Sequence, residues 1–271
     1  MSNLRMPVYY LAHGGGPWPW MSGPHHDAHA LLAQSLRELP AQVGTTPAAV
    51  LMVSAHWEAP QFTTSSHPRP PMLYDYYGFP PNTYEVQYPA PGHPALAARV
   101  QALLGDAGIA AAQDAERGFD HATFVPMAVA WPDASVPVVQ LSLKDGLDPE
   151  AHLAAGRALA PLRDEGVLII GSGLSYHNLR LLRPEGYEAS AAFDQWLTDT
   201  LIGKTAAERA AALTQWTSAP SARVVHPREE HLLPLMVAAG AAGDDAARRS
   251  YHEPRFMGAV TVSSFRFSNN R

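Results

Sequence analysis

The chain has 271 residues, no cysteine, and a formal charge of −6 with its 13 histidines neutral. With 46% apolar and 16% charged residues it is long enough and apolar enough to bury a sizeable core, so an extended or disordered chain is excluded. The lack of cysteine excludes disulfides, thiolate metal sites and a thiol nucleophile, and an acidic balance without a basic run speaks against a nucleic-acid partner.

No apolar stretch reaches the ~18–20 residues that span a bilayer. The first residues lack a basic segment followed by a long apolar run, the mark of a signal peptide. The expectation is a cytoplasmic protein without a membrane partner. Any tightly held metal must rest on histidine and carboxylate.

In chain order, residues 6–12 (MPVYYLA) form a short apolar run that stops at His13-Gly14-Gly15-Gly16-Pro17, a buried strand entering a loop. Residues 27–39 have helical spacing. A second strand-length run, 48–55 (AAVLMVSA), stops at His56-Trp57-Glu58. Residues 58–92 are rich in proline and tyrosine and lack a sustained period, which predicts a long structured loop of the kind that often carries function. Residues 94–104 read as a helix, 116–121 (ERGFDH) as a loop, and 124–131 as an apolar segment.

Further on, 136–143 (VPVVQLSL) reads as a strand, 149–163 as a helix, and 167–171 (VLIIG) as a strand running into Ser172-Gly173-Leu174-Ser175-Tyr176-His177-Asn178. Helical patterns follow at 189–201 and 206–216. A third, at 227–240, is expected to carry His231. Residues 259–267 alternate like a final strand. Strands alternating with helices predict an α/β fold with a central, mostly parallel or mixed sheet flanked by helices. No repeat, linker or boundary divides residues 1–271, so a single domain is expected.

Ligands of open α/β sheets bind outside the carboxyl ends of the strands. His13, His56 and His177 stand at or just past such ends, and the glycines beside His13 let backbone approach a ligand closely. Imidazole suits Fe, Zn, Cu and Ni. Singly, each histidine is more often a hydrogen-bonded structural residue than a ligand. Spacing alone therefore reaches only a metal site or an acid/base site.

Five motifs in order add a resemblance: His13-Gly14 before Gly16-Pro17; Ser54-Ala55-His56-Trp57; Gly118-Phe119-Asp120-His121; Gly171-Ser172-Gly173 with His177-Asn178-Leu179; and Glu230-His231 with Pro234-Leu235. Together with segments 74–92, 136–143 and 164–171 they resemble the class III extradiol ring-cleaving dioxygenases of the LigB-like superfamily, in the branch of 4,5-DOPA dioxygenase type. The resemblance covers nearly the whole chain.

It implies His13, His56 and His231 as metal ligands, the third replacing a glutamate used by more distant members. It implies His177 as the base that deprotonates a catechol, although in some zinc-loaded members this histidine approaches the metal as a fourth ligand. His121 is implied as the proton donor or the group that steadies bound oxygen. The implied cofactor is Fe(II) for activity, and three imidazoles accept Zn(II) as readily. The implied partners are O2 and a small catechol, DOPA-like or related.

Other readings remain: a zinc-dependent enzyme of hydrolytic type, or a catalytically silent metal-binding protein. A serine hydrolase is not expected, because G-x-S-x-G is absent around Ser175. Glu229 and Glu230 beside His231 leave a carboxylate ligand open, although adjacent helical residues point about 100° apart. His25, His26 and His29 are expected at the surface or a loop edge. His226 is not expected to be a ligand, and His67, His93, His152 and His252 are expected at the surface or as caps. Whether Tyr74, Tyr76, Tyr77, Phe79, Tyr84 and Tyr88 stack on a substrate or pack the loop stays open.

Overall fold

The computed structural model describes residues 5–269, and in these residues eight strands form one mixed sheet. The strands are β1 (Val8–Ala12), β2 (Ala49–Ala59), β3 (Phe62–Ser65), β4 (Ala111–Asp114), β5 (Val138–Lys144), β6 (Val167–Gly173), β7 (Ala246–Phe256) and β8 (Val260–Ser268), in the order β4-β3-β5-β2-β6-β1-β8-β7. The middle four, β5, β2, β6 and β1, are parallel. β8 returns antiparallel to β1, and β3 lies antiparallel to β5.

The parallel strands are the continuous apolar runs of the sequence. Strands covered on both faces by helices need no polar alternation, and β1, β6 and the first half of β2 are buried at every position. The α/β class and the flanking helices are as the sequence indicates. Among the described residues no helix is long and apolar enough to cross a membrane.

Several elements differ from expectation for identifiable reasons. β2 does not end at Ala55 but continues to Ala59, and its register with β5 breaks between Val53 and Glu58. His56 thus sits inside the strand, at a bulge. Such irregularities bend a strand and re-aim a side chain. β3 falls inside the segment read as loop, and neither β3 nor β4, at four residues each, is long enough to show a period. β7 is an edge strand with polar residues at most positions and a proline at Pro254, so neither apolarity nor alternation announces it. The expected loop 116–121 gives way to a helix, His121–Ala130, that starts at its last residue.

The expected helix over 227–240 is also shorter at its start. Leu233–Ala242 is the helix, entered through Pro234, and His231 lies in the irregular turn before it. That turn rests directly on β6. A Cβ added at Gly173 would lie 2.1 Å from the His231 carbonyl oxygen, so only glycine permits the approach. The same carbonyl accepts hydrogen bonds from the Tyr10 hydroxyl at 2.8 Å and the Leu174 N–H at 3.2 Å.

Gly173→Ala is therefore expected to push the 231 turn off the sheet and lower stability by about 1–3 kcal/mol, the usual range for overpacking a filled interior. Urea unfolding checks it as a lower midpoint with an unchanged slope.

Candidate metal centre

Five histidines from five separate segments meet beside the carboxyl ends of β1, β2 and β6. His13 follows β1 and continues its pairing by donating its N–H to Gly173 O at 3.2 Å. Gly14 then turns the chain away with φ +82°, and the Trp18 indole N–H donates to His13 O at 2.9 Å. His56 projects from the β2 bulge. That bulge is braced by Ser54 Oγ, which accepts the His56 N–H at 3.1 Å, and by Arg117, whose Nη2 donates to His56 O at 3.2 Å. His121 opens its helix, and its loop is tied down by Gln140, which bonds to Gly118 O, Asp120 N and the Thr123 hydroxyl. His177 follows β6 and donates its N–H to Val225 O at 3.1 Å.

The rings are close. His56 and His121 have centroids 4.0 Å apart, His56 and His231 4.8 Å, and His13 lies 5.1–5.3 Å from His56, His121 and His231. His177 stacks on His231 at 3.3 Å. Nε2 of His56 and Nε2 of His231 are 3.1 Å apart.

Each Nδ1 faces an oxygen. His13 Nδ1 lies 3.2 Å from Ser172 Oγ, whose own hydrogen goes to Ala122 O at 2.6 Å, so Nδ1 must be the donor. Asp75 holds two histidines. Its Oδ1 accepts from His121 N–H at 3.0 Å and from His121 Nδ1 at 2.8 Å, while its Oδ2 lies 3.2 Å from His56 Nδ1. Glu230 holds the other two, with Oε1 2.9 Å from His231 Nδ1 and 2.8 Å from His177 Nδ1. Ionised carboxylates only accept. For His13, His121 and His231 these bonds direct the hydrogen to Nδ1 and leave Nε2 with its lone pair, while His56 and His177 have a carboxylate oxygen within ion-pair reach of Nδ1.

Electrostatics agree. Burial, reinforced by the neighbouring imidazoles, lowers the pKa of His13 and of His231 well below the ordinary histidine value. Burial also lowers that of His121, against the pull of Asp75. For Asp75 and Glu230 burial acts upward, but the hydrogen bonds from their histidines outweigh it and hold both carboxyls below the usual range. Neutral imidazoles with one nitrogen oriented by a carboxylate are the donor set that metals such as iron and zinc take.

Two sets of side chains have donor atoms within 4.8 Å of one another: His13, His56 and His121, and His177, Glu230 and His231. The 3.1 Å between His56 and His231 joins the sets, a spacing at which both nitrogens reach one ion at about 2.0–2.1 Å. The residues thus fit a mononuclear metal. Geometry brings together all five histidines singled out in the sequence and by itself does not separate ligands from acid/base groups.

A family model described as the catalytic LigB subunit of aromatic ring-opening dioxygenase matches residues 7–265. This chain belongs to that family. It is similar to a dioxygenase, tasH, of Hapsidospora irregularis, with 39% identity over 90% of this chain and 81% of that one. A 4,5-DOPA dioxygenase extradiol of Beta vulgaris is 40% identical over 82% of this chain and 84% of its own, and one of Escherichia coli K12 is 33% identical over 89% and 87%. The crystal structure of an uncharacterized protein from Escherichia coli K12 superposes with a TM-score of 0.77 at 30% identity, over 97% of this chain and all of that one. The LigB-like enzyme is thus an aromatic ring-opening dioxygenase with a non-haem metal site. None of these matches supports the hydrolytic or silent alternatives.

Asp75 was not singled out in the sequence. It lies in the Tyr/Pro-rich stretch, where its one local signal is an acid between tyrosines. Glu230, considered there as a ligand, shares the site with His231 because the two are in a turn, where the 100° rule for neighbouring helical residues does not apply.

Three of the histidines set aside are not at the surface. His29 is buried and stacked on Trp18, donates from Nδ1 to His25 O at 2.7 Å and accepts the Gly15 N–H at 3.1 Å. Burial holds its pKa at about 4. With His25, whose Nε2 is 3.0 Å from Gly15 O, it clamps the glycine loop beside His13. His152 accepts the Lys144 N–H, and its burial lowers its pKa to about 4. His226 is buried against Phe193 and Trp216 with Nε2 3.1 Å from Ser175 O, and burial lowers its pKa to about 3. His93 caps its helix as expected, accepting the Leu96 N–H. The aromatic loop divides. Tyr74 and Tyr88 pack it down through hydroxyl bonds to Val86 O and Trp131 O, while Tyr76, Tyr77 and Phe79 line the cavity.

Asp75→Asn keeps the shape but turns an acceptor into a donor facing an Nδ1–H. It is expected to weaken metal binding by about 10–100-fold while leaving circular dichroism unchanged. Competition with a chelator of known affinity measures this, and an unchanged metal affinity would sink the orienting role.

Proposed function

We propose that the chain is a single extradiol dioxygenase domain in which His13, His56 and His231 hold Fe(II), and that it opens a catechol ring beside the diol with both atoms of O2. The supporting observation is the set of five imidazoles gathered in one space, each with Nδ1 within 3.2 Å of an oxygen, and with Nε2 of His56 3.1 Å from Nε2 of His231. Zinc fits the same three nitrogens but lacks a redox couple, so iron is the metal of the active enzyme. When bound, the metal supplies a Lewis acid that lowers the pKa of a ligated hydroxyl and gathers both reactants.

The chain's own groups manage the protons. His177 Nε2 takes a catechol proton, and the resulting imidazolium is stabilised through Nδ1 by Glu230 at 2.8 Å. His121 Nε2 serves the oxygen side, receiving a proton and returning it as the ring opens, with Asp75 stabilising its charged form. His13, His121 and His231 are buried, which keeps bulk water away from this chemistry.

Protein reconstituted anaerobically with Fe(II) is expected to consume O2 on addition of a catechol and to form a yellow product. His177→Ala is expected to keep its metal and lose turnover by about 10²–10⁴-fold, the usual contribution of a positioned acid or base. His56→Ala is expected to lose the metal itself. Metal loss in His177→Ala equal to that in His56→Ala would make His177 a ligand, and no O2 uptake across a catechol panel would defeat the dioxygenase reading.

A further inference from the structure

The space beside the imidazoles is a cavity of about 440 Å³, large enough for a catechol bearing a sizeable substituent. Its two sides differ in kind. The inner side is the histidine cluster. The outer side is formed by Tyr77 and Phe79 of the aromatic loop, Leu179 and Leu182 beyond β6, and Phe256 and Met257 at the β7–β8 turn. Among the described residues no lysine or arginine lines it. Its one lining carboxylate, Asp75, is engaged with His56 and His121.

Four polar groups lining the cavity bond to the protein's own backbone. The Tyr76 hydroxyl donates to Thr83 O at 2.5 Å, and the Tyr176 hydroxyl to Leu181 O at 2.8 Å. Asn178 donates to Val224 O at 2.7 Å and accepts from Arg180 N–H at 3.2 Å. His25 has Nε2 against Gly15 O. A carboxylate entering this space would meet no cationic side chain to offset the hydration it gives up against the apolar wall.

Two further features point the same way. Tyr77 is 92% and Leu179 70% exposed at the mouth, large side chains left in water where a substrate tail would cover them. Met257 adopts φ +54°, a left-handed conformation that Gly, Asn or Asp would take more easily. Turn chemistry does not select methionine there. Its side chain lines the cavity, and methionine is the residue that moulds to irregular apolar groups.

We infer that the preferred substrates are catechols carrying an uncharged apolar or aromatic substituent, and that catechols with a free carboxylate, as in the amino-acid side chain of DOPA, are disfavoured. This rests on the dioxygenase reading above and assigns the outer wall as the specificity determinant.

A near-isosteric pair tests it: 4-butylcatechol against 3-(3,4-dihydroxyphenyl)propanoate, with unsubstituted catechol and L-DOPA alongside. With the Fe(II) enzyme, kcat/KM is expected to favour 4-butylcatechol about tenfold or more, chiefly through KM, in line with a pocket that discriminates by unpaired polar groups. Calorimetric titration of the zinc-loaded protein, where no turnover occurs, is expected to rank the pair in the same order. Leu179→Arg, at an exposed position where folding is not at stake, is expected to bring the pair towards parity. Equal or better use of the carboxylate by the unaltered enzyme overturns the inference while the dioxygenase reading stands. No O2 uptake with any compound, unsubstituted catechol included, overturns that reading and the inference with it.

Discussion

Crowding five imidazoles into one largely buried space is possible only if each ring stays neutral and each N–H finds an acceptor. A charged ring would repel its neighbours, and an unpaired buried N–H costs about 1–3 kcal/mol. Burial favours the neutral form of His13, His121 and His231, and three side chains place an oxygen against the five Nδ1 atoms. Ser172 serves His13, Asp75 serves His56 and His121, and Glu230 serves His177 and His231. Because each carboxylate bridges two rings, each pairs a proposed ligand with a proposed proton carrier.

The backbone is shaped to deliver those side chains. His13 extends a parallel strand by one residue, while His56 needs the broken register of β2 to leave the sheet plane. Gly173 has no side chain, so the turn carrying Glu230 and His231 can lie on β6. Loop stretches that look irregular are in fact heavily bonded. Gln140 holds the loop before His121, and His25 with His29 holds the glycine loop beside His13. Rigid support of this kind keeps donor atoms in place before a metal arrives.

The cavity combines this polar inner side with an apolar outer one. The apolar wall is built from loop and turn residues, where substitution is easiest to accommodate. The histidines and the apolar wall thus come from different parts of the chain, the wall from the aromatic loop, the segment after β6 and the β7–β8 turn.

Sequence alone was sufficient for the α/β class and for bringing forward the five histidines. Strands buried on both faces must be continuously apolar, and the residues that follow them fall at one edge of the sheet. It was not sufficient for β7, whose edge position removes the apolar signal, nor for His231, placed on a helix that in fact begins at Leu233. Nor did it identify Asp75 as the group that orients two rings, or His29 as buried. Asp75 and His121 are 46 positions apart, and His13 and Ser172 are 159 apart. A hydrogen bond across such a distance leaves no period or local composition to read. Which acceptor meets which ring was decided only by the tertiary fold.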